Sequence, residues 1–199
     1  MIWKFTDNKS RDSIEQQFDW ARNMNEVPQD KLYHAEGNVA VHTWKVIEEL
    51  QQLPAYSDLG GQDKEILWTA ALLHDVEKRS ATVVESDGRI TARGHARKGE
   101  YTVRTLLYRD LPTPFAIREK IASLVRFHGL PLWLMEKTDP VRKIAEVAFR
   151  LDTSQLRMLA EADIRGRICQ DREELLESLD LFELFCREQG CWKKSREFT

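Results

Sequence analysis

Cysteine is scarce in this chain: Cys169, Cys186 and Cys191 are the whole supply. Their number and spacing give neither a disulfide framework nor a thiolate zinc site, and they fit a reducing, cytoplasmic compartment. Long apolar runs are missing, so no segment approaches a membrane-spanning length, and no membrane partner is expected. The start Met1-Ile2-Trp3-Lys4-Phe5 lacks the apolar stretch of a signal peptide. A large surplus of one charge is absent too. The formal net charge of −3 argues against a broad nucleic-acid groove and leaves room for a local basic patch holding one phosphate end. Internal repeats, low-complexity tracts, an interdomain linker and a Walker A loop are all lacking. What is left, 42% hydrophobic and 32% charged over 199 residues, reads as one globular domain spanning residues 1–199.

Periodicity makes that domain all-α. Residues 11–24 read as one amphipathic helix with Ile14, Phe18 and Ala21 on a face. Asn38 is a capping residue for a helix to about Leu53, in which Val39, His42, Val46, Leu50 and Leu53 repeat at three-four spacing. Another begins near Asp63 and runs through Ile66, Ala70 and Leu73 into His74-Asp75. Residues 81–93 change character and predict a small β-hairpin around Ser86-Asp87-Gly88, a candidate lid or rim. Further helices are expected from Gly94-His95 to Tyr108, from beyond Pro114 to His128, over 140–151, over 153–165 and over 171–188. Between them, Leu132, Trp133 and Leu134 pack against or cover something.

Ligand-type side chains recur at the apolar positions of these helices. His42, His74, His128 and Asp163 each lie on the apolar face of a different helix, Asp75 adjoins His74, and His95 opens another helix. One buried His-Asp pair is explained by a hydrogen bond between its members. Inward ligand types on four helices are explained together by one metal-centred cluster. Imidazole and carboxylate without thiolate suit Mn, Fe, Co, Ni or Zn and leave positions open for water and a substrate oxygen. Lys78 follows His74 by one helical turn, where an ammonium meets a phosphate. The same position also suits a solvent-facing lysine at a helix end, and Arg79 and Arg97 carry the same two readings more weakly.

These residues, His42, then His74-Asp75, then Asp163, resemble the HD superfamily of metal-dependent phosphohydrolases. The run His34-Ala35-Glu36-Gly37-Asn38-Val39-Ala40-Val41-His42-Thr43 is similar to the start of the HD domain appended to bacterial tRNA nucleotidyltransferases. Leu72-Leu73-His74-Asp75 with Lys78, Gly94-His95, Phe127-His128 and Glu161-Ala162-Asp163-Ile164-Arg165-Gly166-Arg167 follow in that family's order, so the resemblance covers about residues 32–168. The whole chain also resembles the HD phosphoesterase module of bacterial HD–polynucleotide kinase end-healing proteins. The resemblance implies an HD-domain helical bundle and hydrolysis of 2′,3′-cyclic phosphates and 2′- or 3′-phosphomonoesters. It further implies nickel or cobalt as the metal, RNA or DNA ends or nucleotides as substrates, and a polynucleotide kinase module in cis or trans. Two positions depart from the pattern. Glu77 stands where the HD-x-G-K motif commonly has glycine, and Phe127 precedes His128 where dinuclear HD phosphodiesterases carry a second histidine.

Roles follow from these two readings. His42, His74, Asp75 and Asp163 are expected to hold the tighter metal. His95 and His128 take a second ion or the substrate phosphate. Lys78 and Arg79 neutralise phosphoryl charge, and His34 protonates the leaving oxygen or orients the phosphate. The competing readings are a 5′-nucleotidase or nucleoside triphosphate hydrolase and, in a different class, a nucleotide-binding HD module that regulates a partner.

Overall fold

The computed structural model describes residues 1–192. Where one helix is expected over 11–24, there are two, α1 (Arg11–Gln17) and α2 (Asp19–Asn23). The break is at Phe18, whose backbone is extended at φ −128°, ψ 111°. Its ring packs on Phe5 at 5.3 Å and Trp20 at 5.4 Å, while Phe5 meets Trp68 at 6.0 Å. Aromatic packing therefore overrides the local helical period. A 3-10 turn, Met24–Glu26, leads into a loop pinched by a bridge between Pro28 and Asn38.

Asn38 caps the next helix as expected, its side-chain oxygen accepting from the Val41 amide at 2.9 Å. That helix, α3 (Val39–Gln52), is followed by α4 (Pro54–Ser57) and by α5 (Gly61–Leu73), in which every residue from Ile66 to Leu73 is buried. A helix apolar on all sides belongs in the middle of a core. Accordingly α5 packs against α3, α8 (Phe115–Phe127) and α11 (Thr153–Gly166), and is the axle of the domain. Between α5 and α8 the chain forms α6 (Lys78–Ala81), β1 (Val83–Val84), β2 (Ile90–Thr91) and α7 (His95–Arg109), the last packed along α8. The two strands pair Val83 with Thr91 and Val84 with Ile90, and are the only sheet among the described residues. Gly88 closes the hairpin at φ +85°, where a side chain would strain the turn. The hairpin is thus present but shorter than residues 81–93, because Ala81 still belongs to α6. After α8 come α9 (Leu130–Trp133), α10 (Pro140–Arg150), α11 and α12 (Arg172–Glu188). α12 lies on α9 and α11, covering a smaller apolar cluster that includes Leu132, Ile164 and Leu179. No helix among the described residues is long and apolar enough to cross a membrane.

The α3–α11 contact is close enough to require glycine. A Cβ on Gly166 would lie 2.9 Å from both Val46 Cγ2 and Val46 N. Gly166→Ala is expected to cost about 1–3 kcal/mol by overpacking. A denaturant titration checks this, and a midpoint no lower than wild type would show that the helices can part freely.

Candidate metal centre

Local structure delivers the ligand-type side chains to one end of the bundle. His42 is in the first turn of α3 and Asp163 in the last turn of α11. His74 and His128 occupy the positions just after the last residues of α5 and α8, and His95 is the first residue of α7. Two helix C-termini therefore point their negative dipole ends at the same place, which favours a cation there. The final-turn carbonyls are used as well. His74 Nδ1 donates to Ala71 O at 2.7 Å and His128 Nδ1 to Val125 O at 2.8 Å, while His95 Nδ1 donates to Ala92 O at 2.7 Å. A carbonyl only accepts, so each Nδ1 carries the proton and each Nε2 of the neutral ring presents a lone pair.

All these Nε2 atoms face Asp75. On its Oδ2 side are His74 Nε2 at 3.3 Å and His42 Nε2 at 3.9 Å; on its Oδ1 side are His95 Nε2 at 3.2 Å and His128 Nε2 at 3.9 Å. Asp163 Oδ1 adds a second carboxylate 3.0 Å from His42 Nε2. His42, His74, Asp75, His128 and Asp163 are all buried. His74 Nε2 and Asp75 Oδ1 have no hydrogen-bond partner although water does not reach them. Lone pairs from imidazole and carboxylate packed together without donors are costly unless a cation sits among them. A divalent ion fits this donor set, with His42, His74 and Asp75 forming one group within ligand reach and Asp75, His95 and His128 another.

The charges agree. Burial alone would raise the Asp75 carboxyl, but the Lys78 ammonium and the His74 ring outweigh it and hold it well below the usual carboxylate range. Asp163 is likewise held low, with Arg167 and His42 overcoming burial. Burial pushes the His74 imidazole down, yet the neighbouring Asp75 and Asp163 leave it raised on balance. His128 is pushed to about 3 by burial and by the His74 and His95 rings, so it stays neutral.

Around this cluster the structure adds partners that the helical periods do not single out. Glu36, in the loop before α3, has a fully buried side chain whose Oε1 lies 2.8 Å from His34 Nδ1 and 2.9 Å from His42 Nδ1. Its Oε2 accepts from the Ile168 amide at 2.9 Å. Arg167 clamps Asp163 through Nη2 at 2.5 Å and Nε at 3.2 Å. Gln29 Oε1 accepts from Lys78 Nζ at 2.6 Å. Lys78 is not a solvent-facing lysine: its side chain is 12% exposed and its ammonium sits 2.8 Å from Asp75 Oδ2. Lys78, His34, His95, Arg167 and Trp133 line a cavity of about 460 Å³, a size suited to a small ligand.

Arg79 is a correction. Expected at the substrate phosphate, it is exposed, bonds Glu77 Oε1 at 3.2 Å, and lines a separate concavity with Asn23, Glu26 and Ser80. Lys78 and Arg79 are successive residues of α6, so their side chains diverge by about 100° around that helix. Glu77 does not crowd the Lys78 pocket either, because its carboxylate is taken by Ser80, Thr102 and Arg79. At φ −96°, its backbone has no need of glycine. Arg97 is exposed on α7.

A family model described as the HD domain matches residues 39–163. A curated relative, a Multifunctional CCA protein of Nitrosococcus oceani, is 29% identical over 152 residues, covering 71% of this chain and 33% of the relative. The chain thus spans about a third of the length of that relative.

Proposed function

Because the chain belongs to the HD domain family, and so to the metal-dependent phosphohydrolases, we propose that it hydrolyses 2′,3′-cyclic phosphates and 2′- or 3′-phosphomonoesters. The substrates would be RNA or DNA ends, or nucleotides carrying such phosphates. The observation that carries this reading is the convergence of the Nε2 atoms of His42, His74, His95 and His128 on the two oxygens of Asp75, beside a cavity lined by Lys78 and Arg167. His42, His74, Asp75 and Asp163 would hold the tighter divalent ion, nickel or cobalt by the resemblance. His95 and His128 would share Asp75 with a second, weaker one. Such ions, when bound, acidify water and polarise a phosphoryl oxygen.

The chain's own residues supply the rest. Lys78, steered by Gln29, and Arg167, fixed by Asp163, place positive charge where the phosphoryl oxygens gain negative charge. Burial holds the His34 imidazole down to about 4, and its Nδ1 is committed to Glu36. A neutral ring of that tautomer accepts at Nε2, which suits orienting a sugar hydroxyl or the attacking water better than protonating the leaving oxygen. A polynucleotide kinase module, in cis or trans, remains the expected partner for an end-healing role.

One preparation loaded with cobalt or nickel and offered 2′,3′-cyclic AMP, 3′-AMP and 5′-dAMP tests the reading. Opening of the cyclic phosphate and removal of the remaining monophosphate, both lost with chelator, is the expected result. Cleavage of 5′-dAMP alone would replace the proposal with a 5′-nucleotidase. Lys78→Ala should lower kcat by about 10²–10³-fold with metal content unchanged; full turnover in that variant would remove Lys78 from the reaction.

A further inference from the structure

A second concavity, of about 570 Å³, is lined in part by His95 and His128. His95 and Trp133 line both cavities, so the two adjoin across them. The second is lined by His95 and His128 and by Arg126, Lys137 and Lys143, with no carboxylate among its lining residues. That is a strong local bias in a chain of net charge −3. The cations are weakly offset. Lys137 is exposed and has no ion pair among the described residues, and Lys143 meets Glu146 at 2.9 Å. Arg126 lies 3.4 Å from Glu100, a carboxylate that also accepts from Arg104 and Arg150. Beside them stands Trp133, an indole 47% exposed at the end of α9.

Cations along a groove with an open aromatic face are what a single strand of nucleic acid uses: phosphates track the charge and a base stacks on the ring. A mononucleotide seated in the first cavity leaves this groove empty. We propose that the groove takes the nucleotides next to the reacting end of a single-stranded polynucleotide, with Trp133 as stacking platform and Arg126, Lys137 and Lys143 as phosphate contacts. The inference rests on the phosphoesterase reading and narrows its substrate class from nucleotides to polynucleotide ends.

Binding is measured first, on chelator-treated protein, with a fluorescently labelled single-stranded oligoribonucleotide ending in a 3′-phosphate, across a range of salt. Lys137→Gln with Lys143→Gln should weaken affinity and reduce the slope of log K against log salt by about 1.4, since each phosphate contact on a single strand contributes about 0.7. Trp133→Ala should cost about five- to 150-fold in affinity, the range for one lost base stack. Turnover is then compared on 2′,3′-cyclic AMP and on an oligonucleotide with the same terminal group. The double lysine variant should lose kcat/KM on the oligonucleotide at least tenfold more than on the mononucleotide. Lys137 is exposed and Lys143 half-buried, and a circular-dichroism melt confirms that the variant is folded. Binding and salt slope unchanged in the double variant, or equal losses on both substrates, overturn the groove while leaving the phosphoesterase reading standing. Salt- and Trp133-dependent binding by a metal-loaded protein that cleaves neither cyclic phosphate supports the groove and overturns that reading instead.

Discussion

Asp75→Asn is expected to strip the metal and reduce hydrolysis by more than about 10³-fold, beyond the 10–100-fold that removal of an outer partner of a ligand costs. The carboxylate is the hub onto which the imidazole lone pairs of His42, His74, His95 and His128 converge, and an amide nitrogen turned toward them cannot bind a cation. Stability gives a readout that needs no substrate. With free metal at about a hundred times its Kd, the wild-type fold gains about 2.7 kcal/mol by linkage. For a chain of this size that is a rise of about 5–11 °C in Tm. Asp75→Asn, and His74→Ala with Asp75→Ala, should show little of that rise and little metal by elemental analysis. Metal content equal to wild type in the double variant would mean that the centre lies elsewhere.

Glu36→Ala is the second large effect. The Glu36 carboxylate is shared by His34 and His42, the one lining the cavity and the other facing Asp163, and it stays ionised because those rings outweigh the burial that opposes it. Removing it frees His42 to rotate and leaves the Ile168 amide without its acceptor. Metal affinity should fall about 10–100-fold, with a lower Tm even without metal. Glu36→Gln should recover part of both, because its carbonyl oxygen still accepts one of the bonds. A metal titration that superimposes on wild type would show that His42 is held by packing alone.

The helical periods make His42, His74, His128 and Asp163 readable because each occupies a position where an alkyl side chain would otherwise be. Glu36 follows no such pattern. It sits in an aperiodic loop, and only the fold brings it under α3 to meet both histidines. Arg167 lies one residue past the end of α11, outside the helical repeat, although it is i+4 from the carboxylate it clamps. Arg79 lies away from the cavity that Lys78 lines because the two are adjacent in one helix, α6, and adjacent helical residues point about 100° apart. The split at Phe18 is a tertiary effect: its partner Phe5, itself packed on Trp68 of α5, lies outside the helical segment that a local window reads.

The contact between His42 and Asp163 joins positions 121 residues apart, and Ala35 N to Ile168 O closes the loop beside it. During synthesis, roughly 6–24 s separate the emergence of those two residues at about 5–20 residues per second. Until α11 arrives, the nascent chain has His42, His74 and Asp75 but not the carboxylate that completes them. With these ligands, metallation would be a late event, coupled to the closure of α11 onto α3 rather than to the early helices. A ribosome-bound chain stopped before Thr153 should exchange its metal freely, and one extended past Ile168 should retain it.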